Sequence, residues 1–300
     1  IRFSHIETYG ANIKVEIGIE EDVDYDALIA RLRGIDTVVF AGGISAGLEG
    51  EEMPVNLEGF AGGDRTDIEL PKVQRMFLKK LHEAGKKVVF VNFSGSAMAL
   101  VPESESCDAI LQAWYPGEEG GRAIADVLIG NYNPSGKLPV TFYKSTSQLP
   151  DFKDYSMKGR TYRYMTEEPL FCFGYGLSYT TFNIGDAKLS KNVLSLNGND
   201  EIKVTVPVSN VGQREGTEVV QVYLRRVDDT NGPKLSLRGY QRVNVKAGAT
   251  ANAEITLDKE AFECFDESTN TMRTMPGKYE LLYGTSSDRK DLKTTMVSVE

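Results

Sequence analysis

The chain has 300 residues, of which 41% are hydrophobic and 26% are charged, and its formal net charge is −9. This composition is typical of a folded globular protein, and no run approaches the roughly 20 apolar residues that a membrane-spanning helix needs. The acidic balance disfavours a nucleic-acid partner, which requires a clustered basic face. We therefore expect neither a membrane nor a nucleic acid as a partner.

The metal-binding residue types are few and scattered. Cys107, Cys172 and Cys264 are far apart in sequence, and His5 and His82 are isolated from them. No CxxC spacing or His-containing ligand pattern is present, so neither a zinc site nor a disulfide scaffold is indicated. We predict no metal and no cofactor.

Strands and helices alternate in the first half of the chain. Continuous apolar runs predict strands, and amphipathic periods bounded by Pro and Gly predict helices. Such alternation is typical of an α/β domain with a mainly parallel sheet, in which ligands bind beyond the carboxyl ends of the strands. The predicted strands cover 13–19, 36–40, 87–93 and 109–114, of which 36–40 and 87–93 are predicted to be buried. The predicted helices cover 25–33, 70–84 and 118–129.

The second half of the chain lacks helical periodicity. Residues 144–182 are rich in aromatic residues, Gly and Pro. Five residues of this segment could reach a sugar pocket, but we expect them instead to clamp the segment onto neighbouring domains; they are Tyr155, Arg160, Tyr162, Arg163 and Tyr164. Later strands, punctuated by turns, predict an all-β sandwich of immunoglobulin size. These strands cover 201–208, 218–227, 242–245, 251–257 and 278–283, and the predicted domains are 1–143 and 183–300, joined by 144–182.

A glycine-rich loop with three glutamates follows the strand predicted over 36–40. Its sequence is AGGISAGLEGEEMP over 41–54, with GGDRT over 62–66. A phosphate-binding role is disfavoured because Glu49, Glu51 and Glu52 would repel a phosphate. Clustered carboxylates raise one another's pKa, which suits a general acid. The alternative, that these glutamates only solvate a surface loop, remains open from spacing alone.

Several ordered motifs resemble glycoside hydrolase family 3. Residues 43–74 resemble the family's acid/base loop, where a Glu-x-Glu-Gly segment precedes Asp-Arg and a Leu-Pro-x-x-Gln helix start. Further similarities follow in the family's order. They are AWYPGEEGG over 113–121, NPSGKLP over 133–139, FGYGLSYTTF over 173–182 and LSLRGYQRV over 235–243. The resemblance implies an α/β sandwich domain followed by a fibronectin type III-like sandwich.

The resemblance assigns roles within the loop. Glu51 matches the family's acid/base position, and Glu49 is the alternative. The loop departs from the family pattern because Glu52 stands where Gly is usual and because residues 53–63 lengthen it. Asp64 and Arg65 are expected to support the loop by pairing as a carboxylate and a guanidinium.

The resemblance also implies that the chain is the C-terminal portion of a retaining, exo-acting β-glycosidase. The family's nucleophile lies in an N-terminal TIM barrel, which we expect to precede these residues together with a first β-α unit. The chain alone is then expected to be inactive, because retaining hydrolysis needs two carboxyl groups.

The implied substrates are terminal sugars of plant-type oligosaccharides or aryl β-glycosides, with β-xylosidase favoured over β-glucosidase. Family membership implies secretion or a periplasmic location, and a homodimer is left open. The alternative function is a catalytically silent carbohydrate-binding or scaffold protein built from the same domains.

Overall fold

The structure is a computed structural model that describes residues 22–50 and 55–300. The strand predicted over 13–19 lies outside the described residues. Two compact units are present. The described part of the first unit comprises 22–43, Leu70–Asn92 and Pro102–Gln112, and the second comprises 44–50, 55–69, Phe93–Val101 and Ala113–Glu300. Because the two units interleave along the chain, the domain limits at 143 and 183 stay predictions.

The helices are short, and the three predicted from sequence are present with slightly earlier ends. No helix in the described ranges has the length and apolar character needed to cross a membrane. The helices are α1 (Tyr25–Arg31), α2 (Ala46–Glu49), α3 (Lys72–Glu83), α4 (Val101–Ser106), α5 (Gly120–Leu128) and α6 (Thr161–Tyr164).

The strands fall into two groups along the chain, as the sequence predicted. Those before residue 143 are β1 (Thr37–Gly43), β2 (Asn56–Leu57), β3 (Phe60–Ala61), β4 (Asp64–Arg65), β5 (Lys87–Phe93) and β6 (Ala109–Gln112). Those after it are β7 (Phe182–Ile184), β8 (Lys188–Leu189), β9 (Val193–Leu194), β10 (Ile202–Asn210), β11 (Gly216–Arg226), β12 (Ser236–Val245), β13 (Thr250–Leu257), β14 (Glu263–Asp266), β15 (Thr271–Thr274), β16 (Gly277–Gly284) and β17 (Lys293–Val299).

The first unit is built on a sheet of order β1-β5-β6, in which β5 and β6 are parallel. The central strand β5 buries Val88, Phe90 and Val91, whereas Val39 of β1 is 53% exposed. The sequence prediction that 36–40 is a buried strand is therefore wrong for β1. The physical reason is position, because β1 is an edge strand of the described sheet and β5 has a neighbour on both sides.

Helix α3 packs its apolar face within the same unit. Its Leu78 and Leu81 side chains are fully buried, and the Phe77 ring meets the ring of Phe40 edge-on at 5.8 Å between centroids. The apolar positions follow the helical spacing that the sequence predicted. Packing of α3 on β1 fixes the point at which the glycine-rich loop begins.

The β-rich part of the second unit is a sandwich of two sheets. One sheet has the order β13-β10-β7 with β8 beside β10, and the other has the order β12-β11-β16-β17-β9. Every second residue of β10 is fully buried, from Ile202 through Val204 and Val206 to Val208. This alternation is typical of a sheet with one face in a core. The architecture confirms an α/β domain followed by an all-β sandwich.

The segment 144–182 contributes a second apolar layer to this unit. The Tyr162 ring stacks on Phe173 at 4.4 Å between centroids and meets Tyr223 edge-on at 5.9 Å. These contacts cover the face of β11 that points away from the sandwich core, which explains why nearly all of β11 is buried.

Tyr155 and Arg160 do not clamp the segment 144–182 as the sequence predicted. Tyr155 is 89% exposed, and the Arg160 guanidinium donates to backbone carbonyls of the segment itself, including that of Ser156 at 3.0 Å. Tyr162, which the sequence also predicted to clamp the segment, does pack its ring on Phe173 and Tyr223.

Candidate active-site loop

The glycine-rich loop begins at a fixed point at the carboxyl end of β1. The Gln74 side chain accepts from the Gly43 N–H and donates to the Gly43 carbonyl, both at 2.7 Å. A Cβ on Gly42 would lie 2.5 Å from the Gln74 oxygen and 2.4 Å from the Phe40 ring, so only glycine fits there. Both backbone groups of Gly43 are thereby satisfied by one side chain.

The short helix α2 carries Glu49 at its last position. Ser45 caps the helix by accepting from the Leu48 N–H at 3.2 Å, and Gly50 ends it in the left-handed conformation at a φ of 65°. These end signals are the usual ones for a helix. Glu49 is half-buried, whereas Glu51 and Glu52 lie outside the described residues.

Residues 56–65 of the loop form the small antiparallel sheet β2-β3-β4. Gly59 and Gly62 turn the chain between these strands with φ values of 87° and 64°. The Thr66 N–H donates to the Gly59 carbonyl at 2.8 Å. Arg65 is the last residue of this sheet.

Arg65 and Asp64 do not form the carboxylate–guanidinium pair expected from the sequence. Asp64 instead accepts from the backbone N–H of Arg65 at 2.7 Å, because the strand geometry sends the two neighbouring side chains to opposite faces. The Arg65 guanidinium donates to Ser96 Oγ at 3.0 Å and to the Asp67 carbonyl at 3.1 Å. A loop-supporting role for both residues stays a prediction.

Part of the Arg65 guanidinium has no partner of its own. Its Nη2 atom is buried and lacks a hydrogen-bond acceptor among the described residues. Burial lowers the pKa of Arg65, while the negative charges of Glu49 and Asp67 act in the opposite direction. Arg65 therefore presents a charged, half-satisfied donor group near Glu49.

Tyr115 joins the group formed by Glu49 and Arg65. Burial and the charge of Glu49 raise the pKa of the Tyr115 hydroxyl, which also interacts with the Glu49 carboxylate. The Tyr115 ring lies over the backbone of Gly95, where an added Cβ would be 2.7 Å from the ring. The structure thus collects Glu49, Arg65, Ser96 and Tyr115 from three separate segments of the second unit.

Sequence reasoning missed Tyr115 and Ser96 as members of this group. The available signal was their position, since both follow strands of the parallel sheet. The structure adds a mark that the sequence does not show, because Trp114 adopts a left-handed φ of 59°, which is rare for an aromatic residue. The Trp114 ring packs edge-on against Phe142 at 6.1 Å between centroids.

A cavity of about 660 Å³ lies beside Arg65. Phe152, Tyr155 and Arg160 line it, and the two aromatic side chains are 84% and 89% exposed. Its combination of a guanidinium, hydroxyl and carboxylate groups with flat apolar rings is suited to a polyhydroxylated ligand. In residues 22–50 and 55–300, no three His, Cys, Asp or Glu side chains are grouped to hold a metal ion.

Two family models match the chain. The model described as the glycosyl hydrolase family 3 C-terminal domain matches residues 3–179, and the fibronectin type III-like domain model matches residues 218–287. The chain belongs to glycoside hydrolase family 3. The first match includes the whole glycine-rich loop, so the loop described above is a family 3 loop.

Curated relatives of this family 3 chain are glycosidases by name. A "Xylan 1,4-beta-xylosidase" of Xylanibacter ruminicola is 58% identical over 100% of this chain and 34% of the relative. A "Periplasmic beta-glucosidase" of Salmonella typhimurium is 36% identical over 88% of this chain and 34% of the relative. The chain thus spans about a third of the length of these relatives.

Solved structures share the same fold. A β-glucosidase from Erythrobacter marinus superposes with a TM-score of 0.77 at 33% identity, covering 92% of this chain and 36% of that one. A β-glucosidase from Listeria innocua in complex with isofagomine gives a TM-score of 0.75 at 30% identity, covering 92% and 38%. These similarities confirm the family and fold that the sequence motifs indicated.

Proposed function

We propose that this family 3 chain is the C-terminal portion of a retaining, exo-acting β-glycosidase and supplies its general acid/base. The observation that carries the proposal is the loop after β1, which positions the half-buried Glu49 beside Arg65 and Tyr115. A carboxylate-bearing loop anchored at the carboxyl end of a strand in an α/β domain is suited to proton transfer at a ligand bound there.

Within this loop we assign proton transfer to Glu51 and positioning to Glu49. Glu49 already interacts with Tyr115 and faces the charge of Arg65, contacts that suit a residue holding the loop in place. Glu51 matches the family's acid/base position and follows Glu49 by two residues. The Glu51 carboxyl would protonate the departing glycosidic oxygen and then accept a proton from the attacking water.

The nucleophile is proposed to be a carboxylate in a TIM barrel of the full-length enzyme. Retaining hydrolysis needs two carboxyl groups about 5–5.5 Å apart, one forming the glycosyl–enzyme bond and the other transferring protons. The chain is about a third as long as its curated relatives, which leaves length for a barrel of about 250 residues in a protein of their size.

The proposed substrate is a terminal β-xylosyl unit of a plant-type oligosaccharide or an aryl β-glycoside. Xylose is favoured over glucose because the 58% identical relative is named a xylan 1,4-β-xylosidase, whereas the β-glucosidase of Salmonella typhimurium is 36% identical. The cavity beside Arg65 would contact the leaving-group sugar, whose apolar face can pack on Phe152 or Tyr155. Secretion or a periplasmic location belongs to the same proposal.

The test compares Glu51→Gln and Glu49→Gln in the full-length enzyme on two substrates. Loss of the proton donor should lower kcat/KM by at least 100-fold for xylobiose, whose leaving group needs protonation, and far less for 2,4-dinitrophenyl β-xyloside. We expect this split for Glu51→Gln. Glu49→Gln should lower both rates by a similar factor, as expected for a residue that positions the loop.

The controls separate this proposal from a silent scaffold. Hydrolysis of neither substrate by the full-length protein would support the scaffold function. The split appearing in Glu49→Gln instead would move the acid/base to Glu49. The 300-residue chain alone should show no turnover, and turnover abolished by Glu51→Gln would place a second catalytic carboxylate within it.

A further inference from the structure

A second cavity, of about 450 Å³, lies at the edge of the β sandwich. It is lined by the turn α6, the ends of β11 and β12, and the hairpin β14–β15. Its volume is within the range of small-molecule sites, about 300–1,000 Å³. Every lining residue belongs to the second unit.

Three arginines converge on this cavity. They are Arg163, Arg226 and Arg238, which come from α6, β11 and β12. The Nε atom of each is buried and has no hydrogen-bond acceptor among the described residues. A buried donor without an acceptor costs about 1–3 kcal/mol, more for a charged group, so three around one cavity are unusual.

The acidic residues of the lining do not neutralise these arginines directly. Asp229, Glu263 and Glu267 also line the cavity, but among the described residues none of their carboxylate groups forms an ion pair within 4.0 Å with these three arginines. Asp229 accepts from the Gly232 N–H at 2.7 Å. Arg238 donates to the Glu263 backbone carbonyl at 2.7 Å, which fixes its orientation.

The hairpin β14–β15 supplies an apolar wall. Phe265 and Met272 are directly paired across the two strands, line the cavity, and are 57% and 51% exposed. Guanidinium forks bind planar or tetrahedral oxyanions, and the carboxylates and the apolar wall suit a hydroxylated carbon skeleton. The guanidinium groups and the apolar wall therefore both favour a ligand that carries an oxyanion on a hydroxylated carbon skeleton.

We propose that this cavity binds a small hydroxylated oxyanion, a sugar acid or a sugar phosphate, through Arg163, Arg226 and Arg238. The shared chemistry is an oxyanion that accepts from the guanidinium groups of these arginines. The proposal does not depend on glycosidase activity.

The test titrates the 300-residue chain with sodium glucuronate, glucose 6-phosphate and glucose at constant ionic strength. Binding is followed by calorimetry and by the arginine Nε–H signals in nuclear magnetic resonance spectra. We expect saturable binding of at least one of the two anions, with shifts of three Nε–H signals, and no comparable binding of glucose. Tighter binding of glucuronate would identify the ligand as a sugar acid, and tighter binding of glucose 6-phosphate would identify it as a sugar phosphate.

Arg226→Gln and Arg238→Gln should each weaken anion binding by at least tenfold. Arg122→Gln removes the same charge from a side chain that is 79% exposed and should leave binding unchanged. Circular dichroism checks that each variant folds, and Arg226→Lys provides a variant that keeps the charge but loses the Nε–H. Equal binding of glucose, equal weakening in Arg122→Gln, or no saturable anion binding by the wild-type chain would overturn the proposal.

Discussion

The Gln74 side chain forms two hydrogen bonds of 2.7 Å with the backbone of Gly43, one to its N–H and one to its carbonyl. The helix α3 is thereby tied to the last residue of β1, from which the candidate active-site loop departs. One amide side chain satisfies both groups, because it carries a donor and an acceptor side by side.

Replacing Gln74 with Leu should loosen the start of the loop. The variant leaves the Gly43 N–H and carbonyl without partners, at a cost of about 1–3 kcal/mol. We expect faster amide hydrogen exchange in a peptide covering residues 41–50, measured by mass spectrometry. Gln241→Leu is the control, because Gln241 is exposed and bonds only the carbonyl of its neighbour Arg242. Equal exchange in both variants would contradict the role of Gln74.

Replacing Gly95 with Ala should displace the Tyr115 ring. The new Cβ would lie 2.7 Å from that ring, and overpacking of this kind costs about 1–3 kcal/mol. Because Tyr115 interacts with Glu49, we expect kcat/KM of the full-length enzyme to fall at least tenfold. Gly117→Ala is the matched control, since nothing lies within 4 Å of its added Cβ. A fall of the same size in both variants would disconnect Tyr115 from the site.

Lys137 and Glu218 form a largely buried ion pair of 2.7 Å, with side chains 13% and 8% exposed. Lys137→Met should lower the free energy of unfolding by about 3–5 kcal/mol, because it leaves an uncompensated buried carboxylate. Adding Glu218→Gln to that variant should restore most of the loss. Urea unfolding measures both changes.

The exposed pair formed by Lys290 and Glu168 is the control for the buried one. Its side chains are 73% and 69% exposed, so Lys290→Met should cost below about 1 kcal/mol. A loss of similar size in Lys137→Met and Lys290→Met would show that burial does not govern the strength of these pairs.

Two thiols should resist alkylation until strongly alkaline pH. Burial raises the pKa of Cys107 and that of Cys172 to about 11. Since only the thiolate reacts, alkylation of both should rise about tenfold per pH unit from pH 8 to 10, whereas an ordinary cysteine with a pKa near 8.5 levels off. Mass spectrometry of peptides containing each residue measures the rates.

The same peptides from the urea-unfolded chain are the control and should level off earlier. Because the folded pKa is raised, each thiol's contribution to stability is complete below the unfolded pKa and is lost as the pH rises toward 11. Native rates that level off near pH 9 would contradict the burial of these side chains.

Some elements missed by sequence reasoning lack the pattern that it uses. In the hairpin β14–β15 four of the eight residues are exposed and none is fully buried, so no alternation of buried and exposed positions marks its strands. Strand β17 begins with exposed polar residues and buries only its end, at Val297 and Val299. These strands form because neighbours pair with them, β16 in the case of β17.

The sequence by itself determined the elements that its apolar runs and turn residues mark. Strand β5 was predicted with its observed limits, and the strand predicted over 201–208 is β10. The glycine-rich loop was likewise predicted to follow β1, because chain order alone fixes that. These features depend on neighbours along the chain.

The tertiary structure alone decided which side chains meet at the site. The Arg65 guanidinium bonds Ser96 rather than the Asp64 carboxylate, and Glu49 interacts with Tyr115. In the first unit, Gln74 likewise reaches back to Gly43. Hydrogen bonds and charge contacts act over a few ångströms, so they depend on how separate segments are brought together. No spacing within one segment specifies that arrangement.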